Sequence, residues 1–341
     1  MPEATRSSPG THALVEVRDL AKHFDVSKPW LARLVENQPR QILKAVDGVS
    51  FNINKGETFS LVGESGCGKS TVAKLVVGLH ETSGGEILFD GANIADAMTR
   101  KQSGSLRRRW QIIFQDPYAS LNPRWRVRDI VSEPIRVFKM ATSNSEIDDR
   151  VSKLLTQVGL SPADSDKFPH EFSGGQRQRI SIARALSSEP EFLICDEPTS
   201  ALDVSVQAQI LNLMKELQRK LKLTYLFISH NLAVVYHVSD KIGVMYLGRL
   251  CEVATASELF RNPKHPYTRL LLDTIPDMDM TGRERMPVRG EVPNPIDPPS
   301  GCAFHPRCPL ANERCRTEAP QLHSDETSLV ACHAVEENRQ A

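Results

Sequence analysis

The sequence predicts an α/β fold with a mixed sheet core, an antiparallel β subdomain, an inserted helical subdomain and a Cys-rich C-terminal extension. Three observations carry this. Thr58-Phe59-Ser60-Leu61-Val62 reads as a buried strand, Gly63 to Gly68 is rich in glycine, and Val72, Leu75, Val76 and Leu79 recur at the spacing of one helix face. Leu14 to Arg18 and Phe51 to Asn54 alternate apolar and polar residues, as half-buried antiparallel strands do. From about Val127 to Phe172 the period turns helical, before strand-like runs resume.

Composition sets the bounds. The chain has 341 residues, enough for one large domain with an extension or for two domains. Lys+Arg and Asp+Glu both number 42, so no global field points to nucleic acid or to an anionic membrane. No apolar run approaches the ~20 residues that span a bilayer, and Met1 to Ala13 lacks an apolar signal-peptide core. The expectation is a cytoplasmic protein. Its seven cysteines are then reduced thiols rather than a disulfide framework.

Taken in order, the first strand is followed by Phe24, an aromatic ring placed where it can stack on a nucleotide base or simply pack. The segment Asp25 to Arg40, with Trp30 and Val35, interrupts the strands as a packed loop insertion or as an amphipathic turn facing lipid or a membrane partner. Gly63-Glu64-Ser65-Gly66-Cys67-Gly68-Lys69-Ser70-Thr71 then has the G-x-x-x-x-G-K-[ST] spacing of a phosphate-binding P-loop. Glycines let successive N–H groups turn inward, the helix N-terminus adds its positive dipole end, Lys69 brings a full charge to the β/γ-phosphates, and Ser70 is placed to ligate Mg²⁺.

Beyond the Ser83-Gly84-Gly85 turn, Glu86 to Gly91 is a short strand, and Gln111 to Gln115 is another that Asp116-Pro117 breaks. Gln115 is thereby expected at a strand's exit. The stripe Ile147, Val151, Leu154, Leu155 and Val158, begun by Ser143-Asn144-Ser145 and stopped by Gly159, belongs to the helical subdomain. Ser173-Gly174-Gly175-Gln176 opens a further helix and offers a second anion-binding device, or a plain N-cap. Phe192 to Cys195 is a fully apolar strand with Asp196-Glu197 at its carboxyl end, where open parallel sheets bind ligands. Asp196 can hold Mg²⁺ through water, and Glu197 can orient and deprotonate a water attacking the γ-phosphate. Leu226 to Ser229 ends at His230 on the same edge, and strands over 241–247 and 250–254 close the domain near Phe260.

Together these pieces resemble the ATP-binding cassette (ABC) ATPases. Gly63 to Thr71 matches the Walker A motif, Gln115 the Q-loop, Ser173 to Gln176 the signature with Phe172 in place of the usual Leu, Leu193 to Glu197 the Walker B motif, Ser200 to Asp203 the D-loop, and His230 the switch histidine. Phe24 fits the base-stacking aromatic. The match covers residues 14 to 260, with the helical subdomain at about 127–172. It narrows further, since Gln115 to Arg124, Ala201 to Ile210 and His265-Pro266-Tyr267-Thr268 are similar to the peptide-importer branch, and there to the second (F-type) of two non-identical ATPase subunits of oligopeptide and dipeptide permeases.

The resemblance implies ATP and Mg²⁺ as cofactors, with Ser70, Gln115 and Asp196 around the metal and Glu197, His230 and Gln115 in catalysis. It implies a head-to-tail heterodimer with a second homologous ATPase subunit, in which Ser173, Gly174, Gly175 and Gln176 face the partner's ATP and Asp203 lies in the D-loop. It further implies two transmembrane permease subunits, an extracytoplasmic substrate-binding protein, no nucleic-acid partner, and a peripheral position on the cytoplasmic face of the inner membrane. Nickel and glutathione importers share much of the pattern. A soluble ABC protein acting on ribosomes or DNA is a distant alternative, because such proteins carry two cassettes or a long coiled-coil insertion.

Residues 261–341 form the expected extension. Pro287, Pro293, Pro295, Pro298 and Pro299 make 286–300 a stiff linker. Cys302, Cys308, Cys315 and Cys332 follow within 302–332 without a C-x-x-C pair, so the usual zinc-ribbon pattern fails. Four thiolates can hold an iron–sulfur cluster, and His305 or His333 can complete a zinc site. Similar tails in peptide-importer ATPases carry a [4Fe–4S] cluster, which is the expectation here, with Zn²⁺ or unliganded cysteines as the alternatives. Cys67, Cys195 and Cys251 read as packing residues.

Overall fold

Five consecutive buried residues, Thr58–Val62, form the strand from which the glycine loop springs. The structure is a computed structural model describing residues 13–37, 39–99, 103–274, 290–325 and 327–339. The strands in chain order are β1 (Ala13–Asp25), β2 (Ile42–Asn54), β3 (Thr58–Val62), β4 (Gly84–Phe89), β5 (Ala92–Asn93), β6 (Trp110–Ile113), β7 (Phe192–Asp196), β8 (Thr224–Ile228), β9 (Lys241–Tyr246), β10 (Arg249–Thr255), β11 (His323–Asp325) and β12 (Ser328–Val330). They make two sheets, ordered β2-β1-β4-β5 and β11-β12-β10-β9-β3-β8-β7-β6.

The first sheet is antiparallel throughout. The second is mixed. β3, β6, β7, β8 and β9 run parallel, while β10, β11 and β12 add antiparallel pairs at one side. Its central strands β3, β7 and β8 are buried at every position because both faces are covered. Phe192, Ile194, Leu226 and Ile228 pack with Val72, Leu75 and Val76 of the helix Lys69–Val76 and with the antiparallel sheet. The alternate residues Leu193, Cys195, Tyr225 and Phe227 pack with Ile210, Leu211, Met214 and Leu217 of the helix Val204–Leu221.

The helical insertion is built from Val127–Val137 and Asn144–Gln157, packed with the helix Gly174–Leu186. Ser143 caps the second of these by accepting the Glu146 N–H, and Gly159 follows it at a φ of 76° that favours glycine. Between β1 and β2 the segment Trp30–Glu36 is a short helix rather than a packed loop, with Trp30 70% and Val35 86% exposed.

The extension is joined to the sheet more closely than its sequence suggests. β12 pairs with β10 through Glu252↔Val330, Val253↔Leu329 and Ala254↔Ser328, so the sheet continues into the extension. Of the Pro-rich segment, residues 286–289 lie outside the described residues, and 290–300 contains neither helix nor strand. Truncation after Pro320 strips β11 and β12 from β10 and leaves its backbone groups unpaired. The expected outcome is a thermal midpoint lower by at least about 5 °C or loss of soluble protein, read by differential scanning fluorimetry and gel filtration.

Candidate functional site

The site lies where β3, β7 and β8 end. The glycine loop leaves β3 and re-enters the helix Lys69–Val76, and its tight path needs two glycines in particular. A Cβ on Gly63 would sit 2.2 Å from the Met245 carbonyl oxygen, and one on Gly68, at a φ of 108°, 2.2 Å from that of Ala45. The loop is therefore wedged between β9 and β2. Lys69 is buried inside it, and Nζ donates to the carbonyls of Gly63 (2.8 Å) and Glu64 (2.9 Å) and lies 3.6 Å from the Cys67 sulfur.

Across the sheet edge, the Ser70 hydroxyl donates to Asp196 Oδ1 at 2.9 Å. Burial pushes the Asp196 carboxyl above its ordinary range and the Glu197 charge adds to this, while the Ser70 hydrogen bond opposes it. Glu197 has a φ of 47° and its N–H donates to the Ile228 carbonyl, which fixes the turn after β7. Its Oε2 accepts from Gln115 Nε2 at 3.0 Å and lies 3.1 Å from His230 Nδ1. Gln115 stands two residues beyond the end of β6 rather than on it. One carboxylate thus gathers residues from three strand exits.

The remaining predicted residues lie apart from this cluster. Phe24 makes an edge contact with His80, with ring centroids 5.7 Å apart, and carries Lys22 over its face at 5.1 Å. Ser65 and Gly66 are exposed on the loop's outer curve, and Thr71 sits in the first helical turn. Ser173 and Gln176 cap each other reciprocally at the head of the helix Gly174–Leu186 and face solvent. Gly175 packs so tightly that an added Cβ would lie 2.4 Å from Val206. Asp203 caps the helix Val204–Leu221 through the Val206 N–H, which with the Ser205 hydroxyl holds its carboxyl below the usual range.

The four cysteines of the extension need a correction. Among the described residues no group of three or more His, Cys, Asp or Glu side chains is arranged to hold a metal ion, so the expected [4Fe–4S] or Zn²⁺ centre is not supported. Burial pushes Cys302 and Cys308 up to about 11 and raises Cys332, and Arg339 Nη2 lies 3.6 Å from the Cys315 sulfur. Two of the four are joined through the backbone, the Cys302 N–H donating to the Cys315 carbonyl at 2.8 Å. Burial likewise raises the Cys67 thiol, against the pull of Lys69.

Sequence reasoning missed a contact between the extension and the loop. Tyr267 Oη accepts the Glu64 N–H at 2.9 Å, and Arg307 donates to both Glu64 carboxylate oxygens. No spacing rule could reveal partners 203 and 243 positions apart.

The family described as "ABC transporter" matches residues 46–200, and that described as "Oligopeptide/dipeptide transporter, C-terminal region" matches 251–315. The chain is 49% identical to the oligopeptide transport ATP-binding protein AppF of Bacillus subtilis, covering 94% of this chain and 97% of the relative. It is 46% identical to the oligopeptide transport ATP-binding protein OppF of Escherichia coli, covering 96% and 98%. Identity is also 46% to the di/tripeptide transport ATP-binding protein DppF of Pseudomonas aeruginosa, covering 95% and 98%. Among solved structures, a dimeric post-hydrolysis state of the ATP-binding cassette MJ0796 bound to ADP and Pi aligns with a TM-score of 0.61 at 27% identity, covering 71% of this chain and 98% of that one.

The His265 imidazole lies beneath this site, and its Nδ1 accepts the Tyr267 N–H at 3.0 Å. Burial lowers it to about 3, and the Arg269 charge adds to the effect. The unfolded chain binds this proton near pH 6.5, so the folded state loses stability as pH falls from about 6.5 towards 3. Chemical denaturation should show wild type losing up to about 1.4 kcal/mol more per pH unit in that window than His265→Asn.

Proposed function

The chain belongs to the ATP-binding proteins of ABC transporters, and from that premise we propose that it is the ATP-hydrolysing subunit of an importer of di- and oligopeptides. The observation that carries this is the convergence of Lys69, Ser70, Asp196, Glu197, Gln115 and His230 at one sheet edge, in a chain whose 251–315 matches the oligopeptide/dipeptide transporter C-terminal region. The cassette is assigned to 14–260, its helical subdomain to 127–172 and the importer-type extension to 261–341.

In this reading the amides of Gly63 to Thr71 wrap the phosphates, Lys69 leaves its two carbonyls for the β/γ-phosphate oxygens, and Phe24 supports the base. Ser70, Asp196 and Gln115 are the oxygen donors for Mg²⁺, which when bound neutralises charge on the phosphates. Hydrogen-bonded oxygens already facing one another at 2.9 Å suit a hard cation. Glu197 takes the proton of the attacking water, and His230 and Gln115 hold its carboxylate in place. Ser173 to Gln176, at a helix N-terminus with Ser173 and Gln176 exposed, complete the γ-phosphate shell of a second, homologous cassette, with Asp203 at the same interface. No helix among the described residues is long and apolar enough to cross a membrane. The transport path is therefore assigned to two permease subunits, fed by an extracytoplasmic binding protein, with this subunit docked on their cytoplasmic face at the inner membrane.

We further propose that Cys302, Cys308, Cys315 and Cys332 draw together around a [4Fe–4S] cluster when iron is supplied, with Zn²⁺ as the alternative. The backbone bond that joins Cys302 to Cys315 supports this. Anaerobic purification followed by metal and sulfide analysis should give about four irons per chain. One zinc, or neither metal, rejects the cluster.

The transport reading is tested with the assembled complex and its binding protein in liposomes. ATPase activity should rise with di- and oligopeptides and fall at least about a hundredfold in Glu197→Gln, which still binds ATP and accumulates as the closed dimer. Brisk turnover by that variant removes Glu197 as the base. Stimulation only by nickel chelates or glutathione changes the cargo and keeps the mechanism.

A further inference from the structure

Glu64, the second residue of the glycine loop, is held by two residues from far along the chain, Arg307 and Tyr267. Arg307 Nη1 and Nη2 reach its two carboxylate oxygens at 2.7 and 2.9 Å, a bidentate pair. The Arg307 side chain is only 2% exposed, and Nη1 also lies 3.4 Å from Tyr246 Oη. Tyr267 Oη accepts the Glu64 N–H at 2.9 Å. The rings of Tyr246, Tyr267 and Phe304 pack together with centroids 4.7 to 5.4 Å apart, and the Arg307 guanidinium lies 5.8 Å from the ring centroids of Tyr246 and Phe304, while the Glu64 side chain keeps 27% of its surface exposed. Meanwhile the Glu64 carbonyl is one of the two that hold Lys69 Nζ. All three polar groups of one residue are therefore committed, two of them to the C-terminal part of the chain.

A planar guanidinium held bidentate by a carboxylate admits essentially one geometry, and removing Glu64 strands the buried Arg307 charge away from water. We infer that Arg307 and Tyr267 are positioning residues for nucleotide binding. They clamp Glu64 so that the loop's amides and Lys69 stand in their phosphate-binding array before nucleotide arrives. Neither residue touches the nucleotide. Arg307 sits in the single turn His305–Arg307, flanked by Cys302 and Cys308, and the Cys302 N–H donates to the Cys315 carbonyl at 2.8 Å. The extension thus acts in cis as an outer support of the ATP site. This inference rests on the ATPase reading above.

The test measures KM for ATP and kcat of the reconstituted transporter carrying Arg307→Gln, Arg307→Lys, Tyr267→Phe, Glu64→Gln, or Glu64→Gln with Arg307→Gln. Expected is a KM raised about tenfold in Arg307→Gln with kcat within about twofold, and a smaller rise in Tyr267→Phe. The double variant should be no worse than Arg307→Gln alone, because both substitutions remove one contact. If Arg307→Gln does not fold, Arg307→Lys keeps the charge, loses the fork and carries the same expectation at smaller size. An unchanged KM in folded variants, equal losses in kcat and KM, or multiplying effects in the double variant overturn the inference. Inactive wild type would instead sink the ATPase reading.

Discussion

A buried ammonium organises the whole site. Lys69 is enclosed by its own loop, and a cation out of water must be met by oxygen. The carbonyls of Gly63 and Glu64 do this only if the loop curls back over the helix start, and that curl leaves no space for a Cβ at Gly63 or Gly68. β9, β2 and the helix Lys69–Val76 are consequently packed around a backbone shape rather than around side chains. In the proposed reading, the exchange of two neutral carbonyls for charged phosphate oxygens is favourable for the same reason.

Glu197 is the second hub. It follows a fully buried strand, so the position of its backbone is set by the sheet, while its carboxylate joins Gln115 and His230 from neighbouring strand exits. Gln115 leads through Asp116, the N-cap of the short helix Pro117–Ser120, whose Ser120 carbonyl accepts from Arg184 at 2.6 Å. Arg184 lies in the helix that Ser173 begins. The carboxylate, the link to the helical insertion and the exposed cap of Ser173 are thus connected through a short series of contacts.

Much of this was legible in the sequence because local patterns dictate it. The predominantly apolar runs of β3, β7 and β8 announce a two-sided parallel sheet, Ser143 and Gly159 punctuate a helix, and Gly63 to Thr71 carry their own chemistry. Other features were hidden because they depend on distant partners. Ser328 to Val330 is too short to declare itself a strand and becomes one only on the edge of β10. Arg307 reads as one more surface cation until Glu64 is brought beside it. Trp30 has an apolar side chain that suggests packing, yet the helix it begins projects outward. Cysteine spacing suggested a metal centre, yet among the described residues no group is arranged to hold a metal ion, Cys315 and Cys332 being buried and Cys302 and Cys308 half-buried.

The pairing of β10 with β12 and of Glu64 with Arg307 also has a consequence during synthesis. Glu64 leaves the ribosome long before the residue that fixes its carboxylate, with 243 positions between them. A nascent cassette therefore carries a loosely held nucleotide loop and an open sheet edge until the region near residue 330 has emerged. Maturation of the nucleotide site is delayed to a late stage of translation, when the surfaces that meet its assembly partners have already been made.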